Sequence, residues 1–170
     1  MTKDFGIEYR LASDRLKLEI LTVDDYEFLQ NLVNTKGWIE NIGDRKIHSK
    51  KEAVAYINKI LATENFYYWV VRTKDANRPI GIISIIKRSY LEYFDIGFAF
   101  LPDVANKGYA LEAAKAVLLM VSGLPEFKVV LATTLHSNDS SIKLLTKLGF
   151  RFEKENEVEN SNLYIYTNTV

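Results

Sequence analysis

The chain has 170 residues and not one cysteine. Disulfides, thiolate metal sites and covalent mechanisms through a protein thiol are therefore excluded. Histidine is scarce: His48 and His136 are the two present. Neither lies in a motif that supports a metal site or a Ser-His-Asp triad, so no metal is expected. Net charge is absent as well, because 22 Lys and Arg balance 22 Asp and Glu. Bulk electrostatic capture of nucleic acid or of an anionic membrane is not expected of such a chain. No uninterrupted apolar run reaches the ~18 residues of a membrane-spanning helix. The start, MTKDFGIEYR, has charges where a signal peptide would be apolar, which makes the cytoplasm the default location.

What is present is the balance of a globular domain, 48% hydrophobic and 26% charged residues, in a length that suits one domain over 1–170. Leu16, Leu18 and Ile20 alternate in a strand over residues 15–21. Thr22 and Asp25 then stand at capping spacing, before Tyr26, Leu29, Leu32 and Val33 on one helical face. Residues 36–48 read as irregular, with Gly37 and Gly43 as breakers, and Ser49 with Glu52 opens a second helix. Residues 65–73 and 79–88 form a hairpin, and 93–102 a third strand that ends at Pro102. A helix over 108–122 stops at Gly123. A strand over 127–135, a helix capped by Asn138 or Asp139 and two closing strands complete an α+β domain with a mostly antiparallel sheet.

The stretch LPDVANKGYALEAA, 101–114, places small and turn-tolerant residues at a helix start. Unpaired N–H groups and partial positive charge collect there, which suits a phosphate group. An ordinary strand-to-helix loop is the competing reading. The known phosphate motifs, G-x-x-x-x-G-K-[ST] and G-x-G-x-x-G, are both absent.

Together, DIGFAFLPDVANKGYALEAA and NDSSIKLLTKLGF resemble the acetyl-CoA-binding half of the GNAT N-acetyltransferases. WIENIGDRKIHS, followed by a helix, resembles more narrowly the RimJ/RimL-type branch, named for ribosomal-protein N-terminal acetyltransferases. The resemblance implies the GNAT fold: a central, mostly antiparallel mixed sheet with splayed middle strands and about four flanking helices. It implies that Ala105, Asn106, Lys107, Gly108, Tyr109 and Ala110 wrap the pyrophosphate of acetyl-CoA. The strand before the loop is expected to carry a bulge, with Phe98, Ala99 and Phe100 pairing with the pantetheine arm and Asn138 touching it. Two positions depart from the family pattern. Ala105 stands where Gln or Arg is usual, and Asn106 where this branch usually has a second glycine, although Asn tolerates left-handed backbone. Leu145 replaces the tyrosine that protonates the CoA thiolate in many relatives, leaving Ser141 as the candidate; the competing reading of Ser141 is a solvent-side helical serine.

Acetyl transfer needs a neutral amine and a stabilised oxyanion. At pH 7 roughly one α-amine in ten is neutral, against about one lysine in two thousand, so a weak base suffices for an α-amine. Asp95 is the candidate base, acting through water, although its position also suits a salt-bridge partner. A backbone N–H near Ala99 is the candidate oxyanion donor. For the acceptor, Trp38, Glu40 and Asp44, with Asn41, Arg45 and His48 near them, are candidates to line a cleft; the alternative is a surface loop pinned by Trp38 in the core. The expected activity is direct acetyl transfer to the α-amine of a protein or peptide, by a monomer or homodimer. Small-amine acetylation and a non-catalytic CoA- or peptide-binding module are the alternatives.

Overall fold

The computed structural model describes residues 6–158 and 161–169; the first five residues of the charged start lie outside it. Strands β1 (Arg10–Ala12) and β2 (Leu16–Ile20) lead into helices α1 (Tyr26–Val33), α2 (Lys36–Asn41) and α3 (Lys50–Ala62). Strands β3 (Phe66–Thr73), β4 (Pro79–Ile86) and β5 (Asp95–Phe100) follow, then α4 (Tyr109–Ser122). The chain closes with β6 (Val129–Leu135), α5 (Asp139–Lys147), β7 (Arg151–Val158) and β8 (Ser161–Thr169).

The strands form one sheet in the order β1-β2-β3-β4-β5-β6-β8-β7. Every neighbouring pair is antiparallel except β5 with β6. Val70 and Val71 are adjacent, so they point to opposite faces, and both are buried. Helices therefore cover both faces. α1 and α3 pack together with β3, while α4 packs on β2, β4 and β5 and meets α5. Ala113, Ala114, Val117 and Val121 of α4 are fully buried; their spacing puts them on one helical face. Small residues along that face let the helix approach the sheet closely.

Five helices thus flank the sheet, and α2 is the one not expected. In the sequence, residues 36–41 read as irregular because Gly37 lowers helix propensity. The Thr35 side chain, however, accepts a hydrogen bond from the Trp38 N–H and caps the segment. Burial of the Trp38 ring then outweighs the local preference. Residues 42–49 remain irregular, anchored by the buried Ile47.

Candidate functional site

β5 pairs with β4 over its whole length, from Asp95 opposite Ile86 to Phe100 opposite Gly81. With β6 it pairs at one position, Asp95 opposite Leu131, where the Leu131 N–H donates to the Phe94 carbonyl at 2.8 Å. β6 stays paired with β8 from Val129 to Leu135, so β5 and β6 part above this point and leave a gap in the sheet. Beneath them a small separate cluster of Leu91, Leu131 and Ile165 ties the β4–β5 loop to β6 and β8 at the foot of the splay.

The ladder decides which backbone groups meet that gap. The Phe94 carbonyl faces β6, whereas the Leu101 N–H donates to Ile80 on β4 at 2.9 Å. Successive residues alternate in direction, so Ile96, Phe98 and Phe100 turn their N–H and C=O groups to the gap. Ala99 turns its own to β4, so of the backbone N–H groups near Ala99 it is those of Phe98 and Phe100 that meet the gap. The expected bulge is also missing, because the β4–β5 register runs without a shift. The gap arises from the divergence of β6. The Phe100 ring lies over Gly81, in space that a side chain at 81 would occupy.

Above the gap, Pro102–Val104 form a short 3₁₀ turn before the loop. Asn106 (φ 61°) and Gly108 (φ 80°) are both left-handed, one either side of Lys107. Among the described residues the N–H groups from Asn106 to Leu111 have no acceptor, the next N–H, of Glu112, donating to the Gly108 carbonyl. Alternating left-handed residues gather amides into an anion-binding concavity, and here they run into the positive end of the 14-residue α4. A Cβ built on Gly108 points toward Arg15 Nη2, 3.4 Å away. Glycine is needed there for its backbone conformation.

Arg15, in the β1–β2 turn, lies against this loop. Its Nε donates to Glu112 Oε2 at 2.7 Å and its Nη1 to the Lys107 carbonyl at 3.0 Å. The guanidinium sits 4.4 Å from the centre of the Tyr109 ring. Glu112 Oε1 accepts from the Ser13 hydroxyl and the Arg15 N–H. Burial works against ionisation of Glu112, but these hydrogen bonds outweigh it and hold the carboxyl below its usual range.

At the N-terminus of α5, Asn138 Oδ1 accepts from the Ser141 N–H at 3.2 Å and from the Ser140 hydroxyl. Its Nδ2 donates to no described residue, so capping leaves a donor for a ligand. Ser141 is half-buried, and its hydroxyl has no hydrogen-bond partner among the described residues. Leu145 is buried in the core.

On the sheet face that carries Asp95, the register aligns Tyr68, Ser84 and Gly97 in a row. Thr133 continues that row across the gap, two residues beyond the Asp95–Leu131 pair. Asp95 is 2% exposed. Both its oxygens accept from Arg88 Nε, at 3.1 and 3.0 Å. Burial pushes this carboxyl up, against the pull of Arg88 and Thr133. Asp95 is thus the core of an ion pair at the foot of the splay, the salt-bridge role its position also allowed. Burial likewise pushes the Tyr68 phenol well up, aided by nearby Tyr56. A Cβ on Gly97 would stand 2.7 Å from Ser84 Oγ, so the glycine lets the Ser84 hydroxyl close against β5 beside the gap. Tyr68, Ser84, Arg88 and Thr133 were not singled out from the sequence; only the strand register brings them together.

The expected acceptor residues are not brought together. Trp38 is buried in the main core. Glu40 pairs with Lys36 on the exposed side of α2 at 3.7 Å, and Asp44 accepts from the Lys46 N–H. Of that segment, Arg45 is the residue that reaches toward the row, its Nε donating to Tyr56 Oη at 3.3 Å. Two surface cavities, of ≈ 360 and ≈ 430 Å³, include no residue of the loop or of α5; the first is lined in part by Leu91, Leu131 and Ile165 at the foot of the splay, and the second lies beside β1 and β2.

Comparison with known proteins agrees with this geometry. Residues 15–151 match the family pattern described as an acetyltransferase (GNAT) domain. The N-acetyltransferase YnaD of Bacillus subtilis (strain 168), itself named as uncharacterized, is 32% identical over 109 residues, 63% of this chain and 62% of that protein. The chain therefore aligns with less than two thirds of that relative's length. A GNAT-family acetyltransferase from Bacillus anthracis superposes with a TM-score of 0.78 at 23% identity, over 94% of this chain and 98% of that one. RimL, a ribosomal L7/L12 alpha-N-protein acetyltransferase in complex with coenzyme A, superposes with a TM-score of 0.81 at 13% identity, over 96% and 97%. At those identities the structures speak for the fold alone. With the family pattern matched from the β1–β2 turn to the start of β7, the chain belongs to the GNAT acetyltransferase family.

Proposed function

We propose that this protein transfers the acetyl group of acetyl-CoA directly to a primary amine, and that its acceptor is the α-amine of a protein or peptide. The observation that carries this reading is the gap between β5 and β6, closed at one residue pair and topped by a loop of unpaired amides. Bound acetyl-CoA supplies a thioester, whose carbonyl carbon gains the amine nitrogen and releases the CoA sulfur. The amides of 106–111 bind pyrophosphate oxygens, with Lys107 beside them. Phe98 and Phe100 offer backbone groups to the pantetheine amides as an added strand would. The Phe98 N–H, the deeper of these two donors, faces the developing oxyanion. Asn138 Nδ2 holds the arm, and the Ser141 hydroxyl donates to the departing thiolate.

The foot of the splay favours an α-amine. Asp95, at the foot of the gap, is taken up by Arg88 and positions that side chain. An α-amine, with a reference pKa of about 7.7–8.0, loses its proton to solvent at neutral pH far more readily than a lysine of about 10.4. The partly exposed Gly97, flanked by Ser84, Tyr68 and Thr133, is where such an amine would approach.

Mass spectrometry after incubation with acetyl-CoA tests this on three acceptors: a peptide with a free N-terminus, an N-terminally blocked peptide containing lysine, and spermidine. The expected result is one acetyl group on the free α-amine. Acetylation of lysine or spermidine alone would overturn the acceptor assignment. Binding of acetyl-CoA with no product from any of the three would identify a non-catalytic binder.

A further inference from the structure

The phosphate loop lacks a long polar side chain of its own at Ala105, yet one reaches it from 92 positions before Lys107. We propose that Arg15 is the positioning residue of the acetyl-CoA phosphate loop, bracing it from its carbonyl side. The inference rests on the reading that acetyl-CoA binds at this loop.

Three contacts fix the guanidinium in one place. Nε is held by Glu112 at 2.7 Å, Nη1 donates to the Lys107 carbonyl at 3.0 Å, and the plane lies 4.4 Å from the Tyr109 ring centre. The carbonyl it captures belongs to the residue between the two left-handed positions, Asn106 and Gly108. Holding that peptide unit by its oxygen restrains the turn on either side of it and so keeps the neighbouring N–H groups turned outward. Ordering the loop before the ligand arrives lowers the entropy that binding must otherwise supply. Arg15 has a second effect of the same sign. Glu112 lies in the first turn of α4, where a bare carboxylate would repel a phosphate; the guanidinium neutralises it. Glu112 in turn is fixed by Ser13 and by the Arg15 backbone N–H, so the whole β1–β2 turn is clasped to the start of α4.

Lysine cannot replace this arrangement. A single ammonium on a flexible stem can meet Glu112, but it lacks the planar fork that reaches Glu112 and Lys107 together while stacking on Tyr109. The experiment compares wild type, Arg15→Ala and Arg15→Lys by calorimetric titration with acetyl-CoA, and by hydrogen exchange of the ligand-free proteins. Arg15→Lys should bind acetyl-CoA about tenfold more weakly, the change expected from one lost charge-assisted hydrogen bond, and Arg15→Ala, which also leaves Glu112 unpaired, more weakly still. Exchange should quicken at the paired amides that frame the loop, Ala105 (to Pro102) and Glu112 (to Gly108), while the amides of β3 and β4 stay protected. Arg15→Lys keeps the ion pair with Glu112, so a folded variant is secured even if Arg15→Ala unfolds. Binding by Arg15→Lys within about twofold of wild type, or unchanged exchange at the Ala105 and Glu112 amides, would overturn the proposal. Failure of wild type itself to bind acetyl-CoA would instead count against the functional reading, and the exchange result would still decide whether Arg15 braces the loop.

Discussion

The Phe100 ring rests on Gly81, directly across the β4–β5 ladder. That placement draws a large side chain toward β4, away from the gap on the other side of β5. A methyl group at 81 would clash with the ring and push it off its seat. Gly81→Ala should therefore destabilise the fold by about 1–3 kcal/mol, the usual range for overpacking a core. It should also weaken acetyl-CoA binding, since the displaced ring has the gap as free space. Denaturant melts and a ligand titration check both effects; unaltered affinity in the folded variant would show that the ring does not shape the gap.

Asp95→Asn separates a positioning role from a proton-accepting one. Removing the charge leaves Arg88, itself 35% exposed, without its ionic partner. Breaking a fully buried pair costs about 3–5 kcal/mol, and solvent at Arg88 reduces that toward ~1–3 kcal/mol. If Asp95 positions Arg88 and is not the base, as proposed, the pH dependence of turnover should keep its shape. Loss of the acidic limb in the variant would restore Asp95 as the proton acceptor.

Ser141→Ala should lower turnover more than acetyl-CoA affinity, because the hydroxyl is assigned to the leaving thiolate and not to the ground state. A rate within about twofold of wild type, worth ~0.4 kcal/mol of barrier, would remove that role.

Glu112 makes the fold sensitive to acid. Its carboxyl is held below its unfolded value. The stabilisation is therefore complete above the ordinary carboxylate range near ~4.3 and is lost as pH falls through the folded value. Glu112→Gln should be less stable than wild type at neutral pH and should lose less stability on acidification. Melting curves at neutral and acidic pH measure this; parallel losses in both proteins would refute the linkage.

Much of this was legible in the sequence because the signals are local. Thr22 with Asp25 and Ser49 with Glu52 cap the turns and helices they were expected to cap. Asn106 adopts the left-handed backbone its side chain tolerates. Asn138 caps α5 as read. What escaped the sequence depends on distant parts of the chain. Trp38 makes α2 by being buried, which no neighbour in the sequence announces. Which of Ala99 and Phe98 faces the gap follows from the ladder, since alternation alone does not say which strand lies on which side. Tyr68, Ser84, Gly97 and Thr133 come from four strands and meet through register. Arg15 and Lys107 are joined by a turn that closes over the start of α4.

The most direct test of the account is thermal unfolding with acetyl-CoA, with NADH as the nucleotide control. At about 100 times its Kd, acetyl-CoA should stabilise the fold by about 2.7 kcal/mol, a shift of several degrees that NADH does not reproduce. An unchanged melting temperature at millimolar acetyl-CoA would contradict the assignment of the gap and its loop as the donor site.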